Sequence, residues 1–119
     1  MLNKNSSNNL KADITAIILT FNEEKHLERC ILSVNQFIKK IIIIDSFSND
    51  KTLSIAKKYN VKVLQNIFIN HSEQLNWALK NISIKTNWIL RIDADEIVEK
   101  NFFKKFNKIK KIKKFCSTF

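Results

Sequence analysis

The sequence predicts an α/β fold, with a mainly parallel sheet of about four strands and flanking helices. Three observations predict it. Short apolar runs rich in Ile alternate with segments of helical periodicity. The runs are apolar at nearly every position, as strands covered on both faces must be. Their spacing suits right-handed crossovers between parallel neighbours. With 119 residues, of which 45% are hydrophobic, the chain suffices for one domain around one core.

The elements follow in order. Residues 1–12 are polar and Asn-rich, and are expected to form a disordered arm. The domain is expected to span 13–100. It opens on "DITAIILTF" (13–21), a buried strand. In "NEEKHLERCILSVNQF" the residues Leu27, Cys30, Ile31, Val34 and Phe37 fall at helical spacing. Asn22 is expected to cap that helix, with Glu23 and Glu24 at its positive end. "KKIIIID" (39–45) is a second strand, "SFSNDKT" a turn and "TLSIAKKY" a short helix. "VKVLQN" (61–66) is a third strand. "SEQLNWALKNI" (72–82) is a helix with Leu75, Ala78, Leu79 and Ile82 on one face, and "NWILRID" (87–93) is a fourth strand.

In parallel sheets ligands bind beyond the carboxyl ends of the strands. Here those ends carry Thr20, Phe21 and Asn22, then Asp45, Ser46 and Ser48, then Asn66, then Asp93 to Glu96. Asp93 and Asp95 flank the small Ala94, and alternation puts both on one side of an extended chain. Two carboxylates a few ångströms apart repel by roughly 1 kcal/mol in water, and by more when desolvated. A cation between them answers that repulsion. Oxygen ligation selects a hard ion, Mg²⁺ or Mn²⁺. The visible carboxylates are too few for a closed cage, so the ion would be shared with substrate phosphates. The alternative is a solvated turn whose acids start the next helix.

The ordered set "AIILTFNEEKHLERCILSV", "IIIIDSFSNDKTLSIAKKYNVKVL" and "WILRIDADEIV" resembles the nucleotide-binding half of family 2 glycosyltransferases with the GT-A fold. "DSFSNDKT" resembles the family's "D-S-G-S-x-D-x-T", with Phe47 where Gly is usual. "SEQLNWAL" resembles the "Q-[KR]-N-x-A-L" helix of the lipopolysaccharide-core glucosyltransferase-like branch, with Leu75 at the basic position. The resemblance covers about residues 13–100 and makes this a Rossmann-like GT-A half. It implies that Thr20, Asn22 and Glu23 line a nucleotide pocket. By the same resemblance Asp45 contacts base or ribose, Gln74 and Asn76 face the nucleotide, Asp93 lies near ribose and metal, and Asp95 is the principal metal ligand. The implied reaction is metal-dependent transfer of a sugar from a nucleotide-diphosphate donor to a hydroxyl, with a glycan or lipid-linked acceptor and a role in cell-envelope glycan synthesis. No catalytic base is carried over, and the matched residues stop near the DxD triplet. The chain is therefore read as a donor-binding part of an enzyme, with an inactive truncated remnant or a nucleotide-sugar-binding module as the alternative.

The remaining features bound the partners. The formal charge is +10, yet only 2 of the 21 basic residues are Arg, the residue that reads base edges, so nucleic acid is not the expected partner. The segment 100–119 holds eight Lys and no acid. With Phe102, Phe103, Phe106 and Ile109 at helical spacing, residues 101–119 read as a basic amphipathic helix or tail. It either packs on its own domain or lies on an anionic membrane surface. The start has no apolar signal segment, which places the protein in the cytoplasm, free or peripheral at the membrane's inner face. Cys30 reads as helix core and Cys116 as a tail thiol. His26 reads as solvated, and His71 as lying near the sheet's ligand edge.

Overall fold

Each of the four runs read as strands becomes one. The computed structural model describes residues 11–99, residue 101 and the backbone of 114–117. The strands are β1 (Ala12–Thr20), β2 (Ile38–Asp45), β3 (Lys62–Gln65), β4 (Trp88–Asp93) and β5 (Lys114–Ser117). The helices are α1 (Leu27–Asn35), α2 (Thr52–Lys58) and α3 (His71–Asn81). The sheet order is β3-β2-β1-β4-β5, with every neighbouring pair parallel.

The strands are Ile-rich because helices cover both faces of the sheet. Ile14, Ala16, Ile18, Ile43, Leu90 and Ile92 pack with Leu27, Cys30, Ile31 and Val34 of α1 and with Ala56 of α2. Ile17, Leu19, Ile42 and Ile44 face the other way and pack with Ala78, Leu75 and Trp77 of α3. Burying one such side chain stabilises by about 1.5–3 kcal/mol. The helices α1 and α2 are also tied at the surface, where Glu28 accepts hydrogen bonds from the Tyr59 hydroxyl and the Lys58 ammonium.

Register sets the ligand edge. Thr20 lies opposite Asp45, Asp45 opposite Gln65, and Leu19 opposite Asp93. The carboxyl ends of four strands therefore finish nearly level.

Four expectations are corrected. Ala12 is not in a disordered arm: it is buried, begins β1 and pairs with Ile38. Asn22 does not cap α1. That helix starts five residues later at Leu27, with His26 at the cap position making no side-chain cap bond. Asn22 is instead in the left-handed region at φ 51°. Leu79 is exposed, and the buried face of α3 is Gln74 with Ala78. Residues 114–117 are a parallel strand and not helix, because the edge of β4 offers unpaired backbone groups to them. The arm at 1–10 and the amphipathic Phe and Ile positions of the tail lie outside the described residues.

Candidate functional site

A cleft of about 750 Å³ opens at the carboxyl edge of the sheet, lined among others by Thr20, Phe21, Glu23, Asp93 and Asp95. Its two ends differ. Phe21, Phe47, Ile67 and Phe68 form an apolar side, each about half exposed or more. Asp93 and Asp95 stand on the β4 side.

The DxD turn is shaped by its own backbone. The Asp93 N–H donates to Glu96 Oε1 at 2.8 Å and the Glu96 N–H to the Asp93 carbonyl at 2.9 Å. Ala94 is buried at 1%, leaving Asp93 partly exposed and Asp95 exposed. The Arg91 guanidinium donates to Asp93 Oδ1 at 3.2 Å and so offsets part of the charge of the acidic turn. Asp95 makes no hydrogen bond or ion pair with any described residue. Behind the turn, burial and then the charges of Glu96 and Asp95 push the Cys30 thiol up to about 12, so it stays protonated and is no nucleophile.

The opposite wall is a polar network. Asp45 is fully buried. Its carboxylate accepts from Thr20 Oγ1 at 2.6 Å, from the Ser48 N–H and Oγ at 2.8 and 2.6 Å, and from Gln65 Nε2 at 3.2 Å. Gln74, also buried, donates to Ser46 Oγ at 3.0 Å and to the Asn66 carbonyl at 3.3 Å, and accepts from Asn66 Nδ2 at 2.9 Å. The loops after β1 and β2 are stitched together. The Asn22 N–H donates to Ser48 Oγ at 2.7 Å, and the Asn49 N–H to Asn22 Oδ1 at 2.9 Å. The Glu23 N–H donates to Thr52 Oγ1 at 2.8 Å, the Glu24 N–H to Asp50 Oδ2 at 3.2 Å and the Lys51 N–H to Glu24 Oε1 at 2.9 Å.

Of the residues singled out in the sequence, the fold brings Thr20, Glu23, Asp93 and Asp95 onto the cleft lining. Asn22, Asp45 and Gln74 stand behind it and shape its wall. Asn76 is exposed on α3 and is not on the lining, because a residue two beyond Gln74 turns to another side of the helix. Sequence reasoning passed over Leu19, Ile67 and Phe68. It gave Phe47 no place on the lining. The signal was there for Ile67 and Phe68: two large apolar residues directly after a strand end, with no strand period to bury them. His71 also lines the cleft, with Nε2 3.8 Å from Asp93 Oδ1. Among the described residues no group of three or more His, Cys, Asp or Glu is placed to hold a metal by itself, and no helix is long and apolar enough to cross a membrane.

The chain is similar to known proteins over most of its length. Residues 15–114 match the model of the family described as glycosyl transferase family 2. An uncharacterized glycosyltransferase of Rickettsia bellii is 38% identical over 91 residues, which cover 76% of this chain and 30% of that protein. A lipopolysaccharide core biosynthesis glycosyltransferase, LpsC of Rhizobium meliloti, is 30% identical over 95 residues, covering 76% of this chain and 34% of that protein. A solved structure of glucosyl-3-phosphoglycerate synthase from Mycobacterium tuberculosis in complex with Mn²⁺ and uridine-diphosphate-glucose has the same fold. Its TM-score is 0.60 at 22% identity, covering 77% of this chain and 36% of that one. The chain thus spans about a third of the length of these proteins.

Proposed function

Because the chain belongs to glycosyl transferase family 2, we propose that its cleft holds a nucleotide-diphosphate sugar for transfer to a hydroxyl acceptor. One observation carries this reading: one cleft is lined both by large apolar and aromatic residues, Phe21, Phe47, Ile67 and Phe68, and by a pair of carboxylates at the β4 end. A nucleotide sugar has the matching chemistry, a flat base at one end and a diphosphate that travels with a divalent cation at the other.

The carboxylate end suits a hard cation. Asp95 is exposed and uncommitted, Asp93 has one oxygen shared with Arg91, and both offer oxygen alone. Two carboxylates leave room for diphosphate oxygens and water. Asp95 would hold Mg²⁺ or Mn²⁺ with Asp93 beside it. When bound, the ion supplies positive charge to the departing diphosphate. The Mn²⁺ complex of the glucosyl-3-phosphoglycerate synthase, which shares the fold, supports a divalent ion.

The protein's own residues act on the donor's position. Thr20 and Glu23 would bound the ribose side of the cleft. Asp45 and Gln74 would act from behind it, holding the ends of β1, β2 and β3 and the start of α3 in register. Asn22 would fix the β1 loop. The helix carrying Asn76 would face the nucleotide only through its first turn.

The reading extends to a glycan or lipid-linked acceptor and to envelope glycan synthesis in the cytoplasm, supported by the similarity to the lipopolysaccharide core enzyme. Peripheral contact with an anionic membrane is proposed on the eight Lys of 100–119. A nucleotide-sugar-binding module that does not itself transfer sugar is the second reading.

Calorimetric titration with uridine diphosphate, with and without Mn²⁺, tests the donor site. Binding strengthened by Mn²⁺ and weakened by Asp95→Ala is expected. Absence of binding, or binding indifferent to both metal and substitution, would falsify the reading. Donor turnover by this chain separates enzyme from module.

A further inference from the structure

We infer that His71 is the protein's own hydrogen-bond donor to the diphosphate, an inference that rests on the nucleotide-sugar reading above. Among the described residues the cleft lining holds three carboxylates, Glu23, Asp93 and Asp95, and neither Lys nor Arg. A nucleoside diphosphate brings further negative charge to that wall. A divalent cation offsets part of it, and hydrogen-bond donors on the lining would offset more.

Three lining side chains can donate. The Thr20 hydroxyl donates to Asp45, whereas the Ser46 hydroxyl accepts from Gln74 Nε2 and keeps its own O–H, part-buried beside the end of β2. His71 makes no hydrogen bond with any described residue. Its Nε2 is 3.8 Å from Asp93 Oδ1, beyond hydrogen-bond reach, and that oxygen already accepts from Arg91 at 3.2 Å. The Phe68 ring packs edge-on against the imidazole, with centroids 5.3 Å apart at 76°. The side chain is 59% exposed and at the mouth of the cleft. The ring is thus steadied by an aromatic neighbour and an acidic one, while its N–H remains available. An imidazole offers an N–H in either protonation state. It joins the apolar side, through Phe68, to the carboxylate side, through Asp93. A diphosphate bound at Asp93 and Asp95 would lie within reach of it.

The test is calorimetric titration at one pH and one Mn²⁺ concentration, with uridine diphosphate and uridine as the two probes. The unmodified chain is compared with His71→Ala and His71→Lys. His71 is exposed at the first position of α3, and Asn70 caps that helix through Oδ1 to the Glu73 N–H at 2.8 Å, so either substitution leaves the helix cap in place and gives up only the surface contacts with Phe68 and Asp93. His71→Ala is expected to weaken uridine diphosphate binding about tenfold or more, the scale of a hydrogen bond to a charged group. Uridine binding should stay unchanged, and His71→Lys should restore most of the loss. Equal losses for both probes, or full uridine diphosphate affinity in His71→Ala, would overturn this inference while leaving the donor site standing. Failure of the unmodified chain to bind uridine diphosphate would overturn the donor reading and this inference with it.

Discussion

Thr20 donates its hydroxyl to Asp45 at 2.6 Å across the register pair that joins the last residues of β1 and β2, and both side chains are buried. The same carboxylate also holds the Ser48 N–H and Gln65. Replacing Asp45 by Ala leaves the buried Thr20 hydroxyl and the part-buried Ser48 N–H and hydroxyl without their acceptor, a buried donor costing about 1–3 kcal/mol. Loss of about 2–4 kcal/mol is therefore expected for Asp45→Ala. It should appear in urea titration as a lower midpoint with the same slope. An unchanged midpoint would show that water replaces the carboxylate without penalty.

Phe47 occupies the left-handed region at φ 59°, where a Cβ costs about 1–2 kcal/mol. Its side chain is 53% exposed, so little burial compensates. Phe47→Gly relieves the clash but frees the unfolded chain. A net gain of about 0.5 kcal/mol is expected in thermal unfolding, together with weaker uridine binding as the apolar side loses a ring. Stabilisation with unchanged uridine affinity would remove Phe47 from the ligand's wall.

Burial raises the Cys30 thiol to about 12 from an ordinary 9.0. Its folded value is the higher one, so its contribution is complete below pH 9 and is lost as pH climbs from 9 toward 12. At pH 8 a Cys116→Ser chain should react with a thiol reagent only as fast as the structure opens. Labelling at the rate of a free thiol would contradict the buried position.

The Tyr59 hydroxyl, followed by Lys58, holds the Glu28 carboxyl below its ordinary 4.5, and Glu28 in turn raises the Tyr59 hydroxyl above 10.0. The depressed acid stabilises above pH 4.5 and loses that effect as pH falls through its lowered value. The raised phenol stabilises below pH 10 and loses it as pH climbs further. NMR titration should find the Glu28 value moving up in Tyr59→Phe. A value that stays where it was would assign the shift to Lys58 alone.

Most of the sheet was legible because parallel strands announce themselves by unbroken apolar runs. Ile17 and Ile18 face opposite helical layers, so neither needed to be polar. The ligand edge was legible for the same reason: a strand that ends in Asp93 or Thr20 ends where the run does. Other positions were decided by partners distant in sequence. Gln74 is buried because Ser46 and Asn66 satisfy its amide, and no helical periodicity records that. Asn22 leaves the helix because its side chain and N–H go to Asn49 and Ser48 across the next loop. Strand β5 forms against the edge of β4, more than twenty residues earlier, within a segment whose own pattern is helical. The apolar wall was hidden in a different way: Phe68 and Ile67 look like core until the strand before them is seen to stop at Gln65.

The five hydrogen bonds that cross between 22–24 and 48–52 were described as stitching. Their consequence is temporal. Loop amides ordinarily exchange with solvent deuterium quickly, yet those of Asn22, Glu23, Glu24, Asn49 and Lys51 are each engaged and should exchange slowly, in concert with the strands they follow. A wall assembled before any ligand arrives spares an incoming nucleotide the entropy of ordering it. These two loops thus stand as one preformed jaw of the cleft, held by side chains and backbone together.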